Sequence, residues 1–219
     1  MRIDTNGVVT RWSGVNNLIH EMKIATVKIT TNGFTQGDMY FGNGTNGQIG
    51  KLSADGSISN VNWITFTNEA QETLLRGGLY VDQTGIFGND MIVVTGGSPS
   101  QGGEVWRITS TTNATRLANI NNDFFRHLEG VITLPNDANK WGPWAGKIIT
   151  GAESKIPPLI HAIDTNGVVT TFNPGIAPED FDLIPTNQDL YCVDQTASRI
   201  VKLPSTLFTN YWGDRKSVV

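Results

Sequence analysis

The stretch that decides the fold is Ile3-Asp4-Thr5-Asn6-Gly7-Val8-Val9-Thr10, which recurs without change from Ile163 to Thr170. Apolar and β-branched residues flank an Asn-Gly pair in both copies. Asn and Gly adopt the positive φ angles of tight turns at little cost, so the octapeptide predicts a strand, a turn and a second strand. A hairpin that recurs within one chain indicates a repeat protein.

Two degenerate copies extend the repeat. One runs from Leu52 to Ser59 around an Asp-Gly pair, and a looser one runs from Ile108 to Thr115. The four hairpins are spaced by about 50 residues, a period typical of propeller blades with some long loops. Paired short strands precede each hairpin, and one more strand is predicted to lead each unit, at residues 22–29, 78–82, 130–134 and 181–184.

The predicted fold class is therefore all-β, a β-propeller of four-stranded antiparallel blades with about four blades present. A β-sandwich is the rival all-β fold, but sandwiches rarely repeat a four-strand unit this regularly. Residues 1–213 are predicted to form one propeller. The fourth unit lacks a clear last strand, which Val8 to Trp12 could supply by closing a four-bladed ring; alternatively, the chain is a fragment of a six- or seven-bladed ring.

The last six residues, Asp214-Arg215-Lys216-Ser217-Val218-Val219, resemble the product of one reading frame of a common sequencing adapter. We therefore expect residues 214–219 to be a non-native tail. This expectation favours the fragment interpretation over the four-bladed ring.

Composition restricts the partners. The chain has 24 Gly residues, one Cys and a formal net charge of -4. It lacks the basic footprint that neutralises phosphates, so we expect no nucleic acid partner. No apolar stretch approaches the 18 or so residues of a membrane span, so none is expected in this chain. The Asn-, Thr- and Gly-rich composition favours an extracellular or periplasmic protein.

Two segments carry a family resemblance: Leu190 to Leu203, and Met39 to Gly56. They resemble repeats of the NHL, SMP-30/gluconolactonase and streptogramin-lyase-like propellers. That resemblance implies a scaffold that serves lactone hydrolases with one divalent metal over the central channel, a lyase, and many binding modules. The lyase-like members work through His and Glu residues with magnesium, a set that His20, His127 and His161 do not match here.

In a propeller, the loops that enter the first strands of the blades converge at one mouth of the central channel, which is the default ligand site. The predicted ligand-binding residues at these entries are Arg76, His127, Glu129, Glu179 and Asp180. Glu129 and Asp180 could hold Ca²⁺ or Mg²⁺, which prefer oxygen ligands. Alternatively, Arg76 pairs with one of these carboxylates and only neutralises the channel.

Other residues are weaker candidates. Asn89-Asp90 and Glu153 could be metal ligands of the lactonase type, although Asn and Asp beside strands are more often turn formers. Trp141 to Trp144 could stack on a sugar or pack under a loop. His161 and Cys192 lie within predicted strands and are expected to be structural, with the thiol buried.

Two functions remain open from the sequence. The first is a secreted or cell-surface binding module for a carbohydrate, peptide or small molecule at the channel mouth. The second is a metal-dependent hydrolase of the lactonase type. Metal ligands at two or more entries would favour the enzyme, and exposed carboxylates would favour the module.

Overall fold

The computed structural model describes residues 2–3, 8–11, 23–45, 47–57, 59–66, 77–96, 103–120, 128–152, 157–184, 188–194 and 196–207. Within these ranges the chain is mostly β, as predicted. An N-terminal pair of short strands, β1 (Arg2–Ile3) and β2 (Val9–Thr10), forms a two-stranded antiparallel sheet.

Three four-stranded antiparallel sheets follow among the described residues, each with its strands adjacent in chain order. Sheet I contains β3 (Ile24–Thr26), β4 (Met39–Gly42), β5 (Gln48–Leu52) and β6 (Ser59–Thr65). Sheet II contains β7 (Gly78–Val81), β8 (Met91–Val94), β9 (Gly103–Ile108) and β10 (Ala114–Ile120). Sheet III contains β11 (Leu128–Thr133), β12 (Ile148–Ala152), β13 (Leu159–Ile163) and β14 (Val169–Phe172).

The last two strands, β15 (Leu190–Asp194) and β16 (Arg199–Leu203), form a separate antiparallel pair, here called hairpin IV. The described helices are short: α1 (Ala138–Trp141) and 3₁₀ turns at Gly142–Trp144 and Ser205–Leu207. None of the helices in the described ranges is long and apolar enough to cross a membrane.

The second copy of the duplicated octapeptide forms the predicted hairpin between β13 and β14. The Asp164 carboxylate accepts hydrogen bonds from the backbone N–H groups of Asn166 and Val168, each at 2.9 Å. Gly167 adopts a φ of +80° between them. The turn thus uses the Asx side chain and the positive φ that the sequence predicted.

Successive sheets pack face to face. We call the face of a sheet that packs against the preceding sheet its N-side face, and the face that packs against the following sheet its C-side face. In sheet II, alternate residues divide between the two: Val93 and Trp106 join a core with sheet I, whereas Ile92 and Val105 join a core with sheet III. Both faces are therefore apolar, as expected for a sheet buried on both sides.

The first strands of the three sheets lie side by side, with β7 in contact with both β3 and β11. The Gly130 N–H donates a hydrogen bond to the Gly77 carbonyl at 2.9 Å, linking the entries of β11 and β7. A Cβ atom on Gly78 would lie 3.1 Å from the Gly130 carbonyl carbon. Glycine at these positions allows the two backbones to approach this closely.

An ion pair recurs at one place in the repeat. An Asp directly before the second strand pairs with a basic residue on the third strand: Asp38 with Lys51 at 2.8 Å, Asp90 with Arg107 at 2.7 Å, and Asp189 with Lys202 at 2.7 Å. In sheet III the register places Lys147 and Ala162 at these positions, so the charged pair is absent there. The recurrence shows that hairpin IV belongs to the same repeat as sheets I and II.

The fourth unit differs from the prediction. Residues 181–184 form no strand; instead Phe181 and Leu183 pack on the C-side core of sheet III through their side chains. Pro185 follows in the sequence and has no N–H to donate to a ladder, which disfavours a strand here. Strand β2 pairs with β1, and within the described ranges no ladder joins it to β16.

Replacement of Gly130 tests the close packing of the strand entries. Gly130 has a φ of +61°, and a Cβ there would lie 2.7 Å from the Glu179 carbonyl oxygen and 2.8 Å from the Asp180 Cα. We expect Gly130→Ala to lower the free energy of unfolding by about 2–5 kcal/mol, because strain and overpacking add. Urea denaturation measures this loss.

Gly175→Ala is the matched control. Gly175 has a φ of +77°, but its Cβ would meet nothing within 4 Å. Gly175→Ala should therefore lower the free energy of unfolding only through backbone strain, by about 1–2 kcal/mol. Equal losses for the two variants would contradict the close approach at Gly130.

Candidate functional site

The candidate site lies at the entries of the first strands. Register defines which residues are equivalent there: Gly78 lies opposite Val94, and Glu129 lies opposite Gly151 at the same level of sheet III. In sheet I the Gly42 N–H donates to the Lys23 carbonyl at 3.3 Å, which places Lys23 at this level. Lys23, Gly78 and Glu129 therefore occupy one position of the repeat.

A β-bulge shapes the entry of β11. The register shifts between Glu129 and Val131, leaving Gly130 as the extra residue at positive φ. The Thr150 hydroxyl on the neighbouring strand donates to the Gly130 carbonyl at 2.8 Å. Bulges redirect the side chains beside them, and the one at Gly130 adjoins the buried side chain of Glu129.

Lys23, which directly precedes β3, contacts both the entry of β11 and the segment that follows β14. Its Nζ lies 3.7 Å from Glu129 Oε1 and donates a hydrogen bond to Asp180 Oδ1 at 3.4 Å. The exposed fractions of the side chains are 17% for Lys23, 6% for Glu129 and 70% for Asp180. The Lys23 ammonium thus lies between the buried carboxylate of Glu129 and the solvent-exposed carboxylate of Asp180.

The carboxylates hold Lys23 in its charged form. Burial alone would lower the pKa of Lys23, but the charges of Asp180, Glu129 and Glu179 and the hydrogen bond to Asp180 outweigh it and raise that pKa above 10.5. A raised folded-state pKa means that this interaction stabilises the fold fully below about pH 10.5 and is lost as the pH rises through the folded value.

The structure brings together three of the five predicted ligand-binding residues. Glu129 and Asp180 contact the same ammonium, and the charge of Glu179 acts on it as well. Arg76 and His127 lie outside the described residues. The pairing predicted for Arg76 therefore stays a prediction, whereas the described cation between the two carboxylates is Lys23, a residue that the sequence-based prediction missed. Extending the alignment of strand entries to the first unit would have found it.

The predicted metal site was tested on its donor set. Glu129 and Asp180 flank a single point, but that point holds the Lys23 ammonium. Among the residues that the structure describes, no three or more Asp, Glu, His or Cys side chains form a group suited to a metal ion. Two carboxylates beside a charged ammonium do not fit Ca²⁺ or Mg²⁺ unless Lys23 moves away.

The weaker candidates have structural roles where they are described. Asp90 pairs with Arg107, and Asn89 adopts a φ of +57° in a turn, so neither is arranged as a metal ligand. His161 is buried with Nδ1 3.0 Å from the Thr171 hydroxyl, as expected for a structural histidine. Cys192 was predicted to be buried, but its side chain is only half-buried. Glu153 lies outside the described residues.

The Trp141 to Trp144 segment packs on the protein. Both indoles are half-buried against the C-side core of sheet III, and Trp144 stacks edge-on against Phe172 with ring centroids 5.3 Å apart. Both indole Nε1 atoms are enclosed by protein. This arrangement corresponds to the packing alternative and offers no open platform for a sugar ring.

A second polar cluster links sheets II and III away from the strand entries. The fully buried Asp82 carboxylate accepts hydrogen bonds from the Thr84 hydroxyl at 2.7 Å, the Phe87 N–H at 2.9 Å and the Thr133 hydroxyl of β11 at 2.8 Å. Burial would raise the pKa of Asp82, but these hydrogen bonds outweigh it and lower that pKa. Burial and the nearby Asp82 charge raise the pKa of Tyr80 to about 12.

Comparison of the chain with protein-family models and with curated proteins gives no match.

Replacing Lys23 tests the electrostatics of the strand entries. We expect Lys23→Met to lower the free energy of unfolding by about 1–3 kcal/mol, because the positive charge of Lys23 is removed from beside the buried Glu129 carboxylate. Adding Glu129→Gln should restore at least half of the loss, because the excess negative charge is then removed. Denaturant titrations of the two variants measure both effects.

The exposed Lys28 provides the matched control for Lys23. Lys28→Met should leave stability within about 0.5 kcal/mol of the wild type. A loss in Lys23→Met no larger than that in Lys28→Met would contradict the interaction.

The lowered pKa of the buried Asp82 carboxylate predicts that the stability of the fold decreases in the acid pH range. Its folded-state pKa is below the ordinary value of 3.8, so its contribution is present above that value and is lost as the pH falls through the folded-state pKa. At pH 7 we expect Asp82→Asn to destabilise the protein by about 2–3 kcal/mol. The difference from wild type should shrink below about pH 4.

Thermal unfolding from pH 7 down to pH 2 measures this difference. Asp194→Asn, which removes a surface carboxylate paired with Arg199, is the control and should change stability by less than about 1 kcal/mol. A constant difference between wild type and Asp82→Asn over the whole range would show that the carboxylate charge is not what stabilises the cluster.

Proposed function

We propose that the sheets are successive blades of a β-propeller and that the protein is a secreted or cell-surface binding module with its ligand site at the mouth of the central channel. The adjacent first strands β3, β7 and β11 support this arrangement. The contact that carries it is the hydrogen bond between Lys23 and Asp180, residues separated by 157 positions that belong to the first and fourth units. Entries converging on one point are what a channel mouth requires.

The charges of the site favour a class of ligand. Among the residues that the structure describes at the site, one ammonium faces Glu129, Asp180 and Glu179, so carboxylates are in excess in this part of it. Asp180 is largely exposed and presents its acceptor oxygens to solvent. Such a surface suits hydroxyl or amino donors, as carried by a carbohydrate, a peptide or a small polar molecule, because hydrogen bonds to charged acceptors are the stronger ones.

A metal-dependent hydrolase is the second candidate, and one observation favours it. Two carboxylates from different units already flank a position that stabilises a cation, at 3.7 Å and 3.4 Å from the Lys23 Nζ. A divalent ion would have to replace an ammonium whose pKa is raised, which makes the binding module the better supported function.

Screening on arrays of oligosaccharides, including amino sugars, and of short peptides tests the binding module. We expect a binder whose affinity falls about tenfold in Asp180→Asn, since a charge-assisted hydrogen bond is worth more than about 1.4 kcal/mol. Asp182→Asn, an exposed carboxylate in the same segment, is the matched control and should bind as the wild type does. Binders that are insensitive to Asp180→Asn would place the site elsewhere.

Calorimetry with CaCl₂ and MgCl₂ distinguishes the second candidate. The hydrolase predicts a saturable heat in the wild type that disappears in Glu129→Ala, together with hydrolysis of a simple γ-lactone. The binding module predicts no such heat. A metal-dependent lactonase activity would replace the proposal made here.

A further inference from the structure

The chain contains several Asn–Gly pairs, which begin at Asn6, Asn32, Asn43, Asn46 and Asn166. Asparagine is a chemically labile residue. A following glycine increases this lability, because a residue without a Cβ leaves its backbone nitrogen open to the Asn side chain. Asn6 and Asn46 lie outside the described residues. The three described pairs are alike in covalent structure, so any difference in their reactivity must come from the fold.

The amide of Asn32, in the turn between β3 and β4, is held by the neighbouring sheet. Its Nδ2 donates a hydrogen bond to the Gly88 carbonyl at 2.9 Å and to the Asp90 carboxylate at 3.4 Å. Both acceptors lie in the β7–β8 loop of sheet II. Turning this amide towards the Gly33 nitrogen would therefore break the contact between two sheets.

The amide of Asn43, in the β4–β5 loop, is held within sheet I. Its Nδ2 donates to the Gln48 side chain at 2.9 Å and to the Val61 carbonyl. Its Oδ1 accepts a hydrogen bond from the Thr45 N–H at 2.9 Å. Attack by the following nitrogen would have to break these three hydrogen bonds.

Asn166 lies at the exposed tip of the β13–β14 turn. Its backbone N–H donates to the Asp164 carboxylate, but within the described ranges its side-chain amide makes no hydrogen bond. The attacking atom would be the Gly167 nitrogen, whose N–H donates to the Asp164 carbonyl at 3.0 Å. Reaction at Asn166 therefore requires only this one turn hydrogen bond to open.

We propose that Asn166 is a site of spontaneous deamidation in the folded protein and that the fold protects Asn32 and Asn43. The Gly167 nitrogen gives its proton to hydroxide and attacks the Asn166 Cγ. The bond from Cγ to Nδ2 breaks, and Nδ2 takes a proton from water and leaves as ammonia. Water then opens the cyclic imide at either carbonyl, which gives aspartate or isoaspartate. The net reaction is hydrolysis of the amide and needs no oxidant or reductant.

Modification at this turn would alter the contact between sheets II and III. A Cβ atom on Gly167 would collide with the Leu117 carbonyl oxygen, so the turn lies directly against β10. Isoaspartate lengthens the main chain and places a carboxylate near that of Asp164. We expect the modified chain to lose hydrogen-exchange protection at the Asp164 N–H, which donates to the Val168 carbonyl at 3.1 Å.

Ageing the full 219-residue chain at mildly alkaline pH tests the proposal. Digestion at acid pH and mass spectrometry follow each Asn, and isoaspartyl methyltransferase labels the isoaspartate formed. Asn166 should react at least about fivefold faster than Asn32 or Asn43, because each of those sites must break at least one hydrogen bond more. In concentrated urea the three rates should converge, since glycine follows each Asn.

Loosening the turn provides a second measurement. Asp164→Ala removes the carboxylate that accepts from the Asn166 and Val168 N–H groups, and should accelerate reaction at Asn166 by about fivefold. Asp137→Ala is the matched control, because the Asp137 carboxylate accepts from two backbone N–H groups at the start of α1 in the same way. It should change none of the three rates.

Equal rates at the three sites of the folded chain, or faster reaction at Asn32 or Asn43, would overturn the proposal. An intact Asn166 in the folded chain after the urea-treated chain has reacted completely would overturn it as well. Asn166→Gln should abolish the reaction at this turn and leave ligand binding at the strand entries unchanged. Failure of this proposal and failure of the proposed binding function are therefore distinguishable.

Discussion

The close approach of neighbouring first strands is the constraint on which the rest of the structure depends. It requires glycine at Gly77, Gly78 and Gly130, where a Cβ would meet the neighbouring backbone, and it is held by a backbone hydrogen bond between Gly130 and Gly77. The bulge at Gly130 lies between the buried Glu129 and the chain at Asp180. The charged group at the strand entries thus follows from a backbone contact in the inner strands.

The polar interactions fall into two kinds with different effects. The Asp–Lys and Asp–Arg pairs join the second and third strands of sheets I and II and of hairpin IV, and stabilise those strand pairs. Asp82 and Lys23 instead connect different units, through Thr133 in one case and through Glu129 and Asp180 in the other. The first kind identifies the repeat, and the second kind determines how its copies are arranged.

The hairpins and the sheet order could be predicted from sequence because both are local. Asp164, Gly167 and the apolar flanks determine their turn within eight residues. The missing first strand of the fourth unit could not be predicted, because Phe181 and Leu183 have a strand-like pattern but use it to cover sheet III. At the site, the pairing of Glu129 and Asp180 with one cation was foreseeable from blade geometry. The identity of that cation was not, because Lys23 lies more than 100 residues from both.

The Lys23–Asp180 contact also has a consequence for folding. Each sheet is a meander built from a contiguous stretch of chain, so its contacts are short-range and can form early and independently. The 157-residue separation between Lys23 and Asp180 closes a loop that contains sheets I to III. Loop-closure entropy opposes such a contact until the intervening sheets have stacked. Formation of this ion pair therefore marks the end of assembly, and a probe at Lys23 reports on completion of the array, not on the folding of any one sheet.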